Sequence, residues 1–181
     1  MVNTKSDNLT FIYHSVISVF CSPKPEHRVL PKKDLSVDNI LIRKLKAEDA
    51  GDITRIYTAI TNKSAKSDFW QMIEGYAGRD ENGCFVAEID GRVAGYIISY
   101  ILSVGFGAER SAWIPMVGVN PKFMGQGIGK QLAEETFRFY KNAGIREIYT
   151  SVRWDSVDLL SFFKTLEFDR SNFINLRKVL E

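Results

Sequence analysis

The sequence predicts an α/β (α+β) domain, and three patterns predict it. Apolar residues alternate between strand-like runs and helical spacing from Ile40 onward. Asp90-Gly91 joins two apolar runs as the kind of two-residue turn that needs positive φ, which marks a β-hairpin. A glycine-rich stretch between Gly118 and Gly129 joins a strand directly to a helix. With 181 residues, 45% apolar and 25% charged, the chain is long and apolar enough to bury an ordinary core.

Taken in order, Ile40 to Leu45 reads as a short strand. A helix follows, with Glu48, Asp49 and Asp52 at its electropositive start and Ile53, Ile56, Tyr57 and Ile60 on one face. A second helix runs through Asp68, Phe69, Trp70, Met72 and Ile73 to the break at Gly75 to Gly78. Cys84 to Ile89 and Arg92 to Leu102 form the hairpin, and after the loop Gly105-Phe106-Gly107 a strand covers Ala112 to Val119. Pro121 cannot continue a central ladder, so that strand stops. Ile128, Leu132, Thr136 and Phe139 mark a helix that ends at Gly144, a left-handed cap. Ile145 to Trp154 is the next strand, Val157 to Leu166 a helix, and Phe173 to Leu180 the last strand.

Residues 1–37 differ in character from residues 38–181 and read as an N-terminal extension and linker ahead of the domain. They hold three of the five prolines and no glycine. They also carry five basic against three acidic residues, so of 24 Lys plus Arg and 22 Asp plus Glu the domain keeps 19 of each sign. A formally neutral domain does not hold a polyanion by counterion release, so nucleic acid is not expected as a partner. The apolar run Phe11 to Phe20 is shorter than the roughly 20 residues a bilayer span needs, and it matches a secretory signal poorly, so no membrane association is expected. Cys21 and Cys84 make neither a disulfide framework nor a zinc site, which points to a reducing, cytoplasmic setting. His14 and His27 both precede the domain. Ser-His-Asp and Cys-His nucleophile pairs and histidine-ligated metals are thereby set aside, and no metal site is expected.

The chemistry is carried by Met116-Val117-Gly118-Val119-Asn120-Pro121-Lys122-Phe123-Met124-Gly125-Gln126-Gly127-Ile128-Gly129-Lys130. Glycines at every second position let backbone approach a ligand, and a helix start offers unpaired N–H groups and a partial positive charge to a phosphate. Lys130 adds a point charge. A Walker loop needs a hydroxyl where Gln131 stands, and a dinucleotide turn needs Gly-x-Gly-x-x-Gly rather than Gly125-x-Gly127-x-Gly129. Neither ATP nor NAD fits.

Val119-Asn120-Pro121 followed by Met124-Gly125-Gln126-Gly127-Ile128-Gly129 resembles the signature of the GNAT superfamily of acyl-coenzyme A dependent N-acetyltransferases. The stretch Val152 to Phe168 looks like that family's late strand and helix, and the order of elements from Ile40 to Leu180 is similar as well. The resemblance implies a central mixed, mostly antiparallel sheet of about six or seven strands, with helices on both faces and a splay between the strands around Met116 and Thr150. It implies acetyl-coenzyme A as co-substrate. Backbone contacts to its pantetheine arm would come from Val117, Gly118 and Val119, and pyrophosphate contacts from Met124, Gly125, Gln126, Gly127, Ile128, Gly129 and Lys130. Pairing into a homodimer through the last strand is a further expectation.

Several positions depart from the family pattern. Met124 replaces the usual Arg or Gln, Leu159 the usual Ala, and Glu167 the usual Gly. Ser156 stands at the usual Asn, where it can cap the helix and offer a hydroxyl to pantetheine. Phe163 takes the position of a Tyr proposed to protonate the departing thiolate, and Ser151 that of a Glu found in relatives similar to the ribosomal-protein alanine acetyltransferase. The implied reaction is direct attack of a neutral primary amine on the thioester, with its carbonyl held by an N–H near Val117 or Gly118. Glu88, Glu109 and Tyr149 are the candidates for a base. Against these roles, Glu88 reads equally as an edge charge, Glu109 as a partner of Arg110, and Tyr149 as core. Asp68, Phe69 and Trp70 are either acceptor-pocket or core residues. The acceptor, a small-molecule or peptide amine, is not specified, and a non-catalytic acyl-coenzyme A binding module is the alternative function.

Overall fold

The computed structural model describes residues 40–65, 68–102 and 110–180. The expectations for the N-terminal extension, for the loop Gly105-Phe106-Gly107 and for Glu109 lie outside them. Strand β1 (Leu41–Lys44) leads through a 3₁₀ turn (Ala47–Asp49) into helix α1 (Ala50–Thr61), followed by α2 (Phe69–Ala77). The hairpin β2 (Phe85–Ile89) and β3 (Arg92–Leu102) precedes β4 (Ser111–Val119). Helix α3 (Ile128–Asn142), β5 (Ile148–Thr150) and α4 (Val157–Thr165) complete the order.

The strands form one sheet in the order β1-β2-β3-β4-β5, antiparallel except for the parallel pair β4 and β5. Parallel strands need a long crossover, and α3 supplies it. The hairpin turn is as expected from sequence, with Asp90 at φ 50° and Gly91 at φ 73°.

Alternation along β3 decides which side each helix covers. Tyr96 and Ile98 face α1 and α2, where Ile53, Ile56, Phe69, Ile73 and Tyr76 close one core. Ile97 faces the other way, into a second core with Ile114, Val117, Ile128, Leu132 and Phe163 under α3 and α4. On that second face the Tyr140 hydroxyl accepts from the Gly83 N–H at 2.9 Å and donates to Ser99 Oγ at 2.9 Å. Ser99 Oγ in turn donates to the Gly83 carbonyl at 2.6 Å. Burial pushes the Tyr140 phenol up to about 12, so it remains a donor.

Helices α3 and α4 end in the same way. After α3, the Ile145 N–H bonds the Tyr140 carbonyl and the Gly144 N–H that of Lys141, with Gly144 at φ 76°. After α4, the Phe168 N–H bonds the Phe163 carbonyl and the Glu167 N–H that of Lys164, while the Phe168 and Phe163 rings meet at 5.0 Å. Here the left-handed residue is Glu167, at φ 64°.

Two expected strands differ. Of Ile145 to Trp154 only Ile148–Thr150 pairs, because Ile145 is used to close α3 and is buried against Tyr140. Phe173 to Leu180 is not a strand, so the described sheet has five strands rather than six or seven. With β5 only three residues long the segment has little ladder to join. It touches that edge through the Phe173 ring on Tyr149 and through Asn175 Nδ2, which donates to Ser151 Oγ at 2.8 Å.

At the far edge, Arg43 Nη1 and Nη2 both bond Asp49 at 2.8 Å, and Arg43 Nε bonds Glu88 at 2.7 Å. Burial alone would push the Asp49 carboxyl up, but the Arg43 fork and the Lys46 N–H outweigh it and hold the group below the ordinary carboxylate range. A depressed acid contributes stability above its unfolded value, about pH 4, and loses it as pH falls through the folded value. Arg43→Met should therefore cost about 2–4 kcal/mol at pH 7 and clearly less at pH 3, read by denaturant unfolding at both. Equal costs would assign the loss to packing. Glu167→Gly should stabilise the chain by about 0.5–1 kcal/mol in the same assay, because the strain of a side chain in left-handed backbone is removed.

Candidate functional site: a fork between strands β4 and β5

Strands β4 and β5 pair at Ala112 with Ile148, Trp113 with Tyr149 and Ile114 with Thr150, and no further. Pro115 follows, and it has no N–H to give. On the other side, β3 places Ile98 opposite Met116 but Tyr100 opposite Trp113. Ser99 therefore faces two residues, Ile114 and Pro115, which is a bulge on β4 and a position where a proline is tolerated inside a sheet. The Ile114 carbonyl accepts instead from Thr150 Oγ1 at 2.8 Å. Beyond this point β4 continues to Val119 while β5 ends, which leaves a fork in the ladder. The pairing ends where the splay is expected, and the bulge accounts for it: the Ala112 N–H donates to the Glu147 carbonyl on the β5 side, whereas Met116, beyond the bulge, turns its N–H to β3. Pro115 marks that bulge, a signal that the reading of Ala112 to Val119 as an unbroken strand does not use.

The phase of the ladder states which groups face the fork. The Asn120 N–H donates to the Ala94 carbonyl at 2.8 Å, so with this register Gly118 and Met116 turn their N–H groups to β3. Val117 and Val119 turn theirs to the fork. Of the two residues expected to offer an oxyanion donor, Val117 turns its N–H to this side and Gly118 does not. Gly118 serves packing instead, since a Cβ there would stand 2.7 Å from the Tyr96 ring and 3.1 Å from Ile60 of α1.

The glycine turn divides similarly. Gly125 and Gly127 both sit at φ 79°, with open space where a Cβ would be, and Gly127 starts α3. Gly129 is in ordinary helical backbone, and a Cβ there would stand 3.1 Å from the Phe162 ring of α4. The first N–H groups of α3 have no partners within the helix. Met124 is exposed, and Lys130 lies 3.7 Å from Glu134, which partly offsets its charge. Ile128 is in the core.

The remaining predicted residues separate. Ser156 precedes α4 but its side chain makes no capping bond; at ψ 70° it lacks the extended backbone that swings a cap hydroxyl over the first turn. Phe163 is buried between Phe162 and Phe168, in the same core as Val117. Glu88 lies on β2, two strands from the fork, with its carboxylate on Arg43. Tyr149 donates to Glu147 Oε2 at 2.8 Å, and that hydrogen bond pushes its phenol above the ordinary value. A phenol so held does not take a proton from an amine near neutral pH. Phe69 is core against Tyr57, and Trp70 lies outside, over Gly51 with its N–H on Glu74.

Comparison with known proteins agrees with this architecture. The chain is 31% identical over 115 residues to mycothiol acetyltransferase of Amycolatopsis mediterranei, covering 62% of this chain and 36% of that one. It is 29% identical over 97 residues to an uncharacterized N-acetyltransferase of Methanocaldococcus jannaschii, covering 53% and 43%. The chain thus spans less than half the length of either relative. Among solved structures, an aminoglycoside acetyltransferase from an uncultured soil metagenomic sample, in complex with trehalose, superimposes with a TM-score of 0.66 at 20% identity, over 80% of this chain and 98% of that one. The family model for the acetyltransferase (GNAT) family matches residues 50–168, from the start of α1 to the Phe168 that closes α4, and the chain belongs to that family.

Proposed function

We propose that this acetyltransferase transfers the acetyl group of acetyl-coenzyme A to a primary amine by direct attack. The observation that carries the reading is the fork at Pro115 ending at the glycine-started helix α3. An unpaired stretch of β4 suits an extended arm with amide groups, because the Val117 and Val119 backbone groups can bond it as a neighbouring strand would. Open space over Gly125 and Gly127 suits a pyrophosphate held by the free N–H groups of α3. These are the residues that would hold acetyl-coenzyme A, which when bound supplies an activated acetyl thioester.

The residues of the chain then have limited and specific roles. The Val117 N–H is the donor for the thioester carbonyl, and such a donor is worth roughly 3 kcal/mol. Met124 adds no charge, so the pyrophosphate depends on backbone donors and on Lys130. Phe163 brings apolar surface and no proton. Rate enhancement comes from holding amine and carbonyl in line, which suffices for an amine that arrives neutral.

Saturating acetyl-coenzyme A at 100 times its dissociation constant should add about 2.7 kcal/mol of stability. For a chain of this size that is about 5–10 °C in Tm, with NAD and ATP giving no shift. No shift with the thioester would remove the reading; a shift without turnover of any amine would leave a binding module.

The pH profile is a separate check. With Glu88 held by Arg43, Tyr149 kept protonated and Phe163 unable to titrate, kcat/KM should rise about tenfold per pH unit up to the pKa of the acceptor. A plateau beginning near pH 7 would reveal a base on the enzyme.

A further inference from the structure

Tyr100, Trp113 and Tyr149 are direct cross-strand neighbours on β3, β4 and β5. They share the α1 and α2 face of the sheet, where Tyr100 packs on the core. Trp113 and Tyr149 stack with centroids 6.5 Å apart and planes 24° apart, Tyr76 of α2 stacks on Tyr100 at 5.9 Å, and the Phe173 ring meets Tyr149 edge-on at 5.7 Å. Cross-strand aromatic pairs stabilise sheets, and this row is only partly buried. Trp113 and Tyr149 are half-buried, and Phe173, which ends the row, is 57% exposed.

The row also lies on a particular side of the fork. Helix α3, whose start would hold the pyrophosphate, packs on the opposite face with α4. An arm that enters from that start and runs between β4 and β5 emerges on the face of the rings. Trp113 is two residues before Pro115 and four before Val117, about 13 Å along a strand. An amine placed at the Val117 N–H therefore brings the rest of its molecule toward Trp113 and Tyr149.

The rings themselves narrow what that molecule is, and Glu147 beside them already accepts from Tyr149. A flat apolar body is well matched, because offset stacking on Trp and Tyr adds to the area it buries.

We infer that the Trp113–Tyr149–Phe173 row is the acceptor platform and that it selects a primary amine carried by an aromatic ring system. The inference rests on the fork being the acetyl-coenzyme A site. Trp113 and Tyr149 act here as specificity residues that touch the body of the acceptor.

The test uses the full chain with tryptamine, n-butylamine and spermidine as probes, at saturating acetyl-coenzyme A. Tryptamine should show kcat/KM at least tenfold above the other two. Trp113→Leu should raise the KM for tryptamine about tenfold with little change in kcat and none in the dissociation constant of acetyl-coenzyme A. Tyr149→Phe, which keeps the ring, should retain most of the preference that Tyr149→Leu loses. Preference for spermidine, or variants that lower all three amines alike, would overturn the platform. Should no probe be acetylated, calorimetric binding of tryptamine that Trp113→Leu abolishes still supports it, and absence of binding overturns it. The Tm shift with acetyl-coenzyme A is read separately, so failure of the fork and failure of the platform are told apart. Trp113→Phe, which keeps an aromatic ring, serves as the second variant where Trp113→Leu does not fold.

Discussion

A single constraint organises this protein: β4 must stay paired to β3 along its length while it loses β5 halfway. The bulge opposite Ser99 does both, because it keeps β4 on β3 and turns the N–H of Met116, unlike that of Ala112, away from β5. Ser99 is consequently held from several directions. Its hydroxyl bonds the Gly83 carbonyl and Tyr140, and its backbone N–H and carbonyl both meet the Cys84 thiol, at 3.4 and 3.1 Å. Burial pushes that thiol up to about 11, so it stays protonated and can donate. The network ties α3, the start of β2 and the bulge together. The fork is thus open on one side because its other side is fixed.

The same strand explains the spacing of the glycines. Alternation along β4 turns the N–H groups of Val117 and Val119 to the fork and sets Gly118 under Tyr96 and Ile60, so backbone that faces the fork and backbone that packs under a helix take turns. In the turn, Gly125 and Gly127 supply positive φ and Gly129 supplies room for Phe162. A row of glycines that reads as one ligand loop is in fact two conformational requirements and one packing requirement. Only the first two concern the space in front of α3.

Local signals are legible in the sequence and long-range ones are not. Asp90-Gly91, the Gly144 cap and the strand-to-helix turn depend on neighbours in the chain, and each is where its residues predict. The apolar run Phe173 to Leu180 predicts a last strand, but a strand needs a ladder, and β5 stops at Thr150. Glu88 looks like a base near a strand end because its partner Arg43 is 45 residues away. Pro115 is in plain view, yet inside an apolar run it reads as one more strand residue until the register shows the bulge it occupies. Glu167 is the converse case: the family pattern has glycine there, and the closing bonds of α4 give the reason, a left-handed residue between Leu166 and Phe168.

The two faces of the sheet divide the chemistry, and this bears on how little acid–base apparatus the fork holds. Glycine-started α3 and the buried Phe163 lie on one face, the ring row on the other, and the fork joins them. On neither side do the named candidates among the described residues offer an unengaged base: Glu88 is paired with Arg43, Tyr149 is held protonated, and Phe163 is a hydrocarbon ring. On the proposed reading, catalysis relies on the geometry with which the Val117 N–H and the acceptor surface meet at the carbonyl. The rigidity of the Ser99 bulge is then a functional property, because a strand that shifted by one residue would turn the Val117 N–H away from the fork and place the Gly118 N–H there instead.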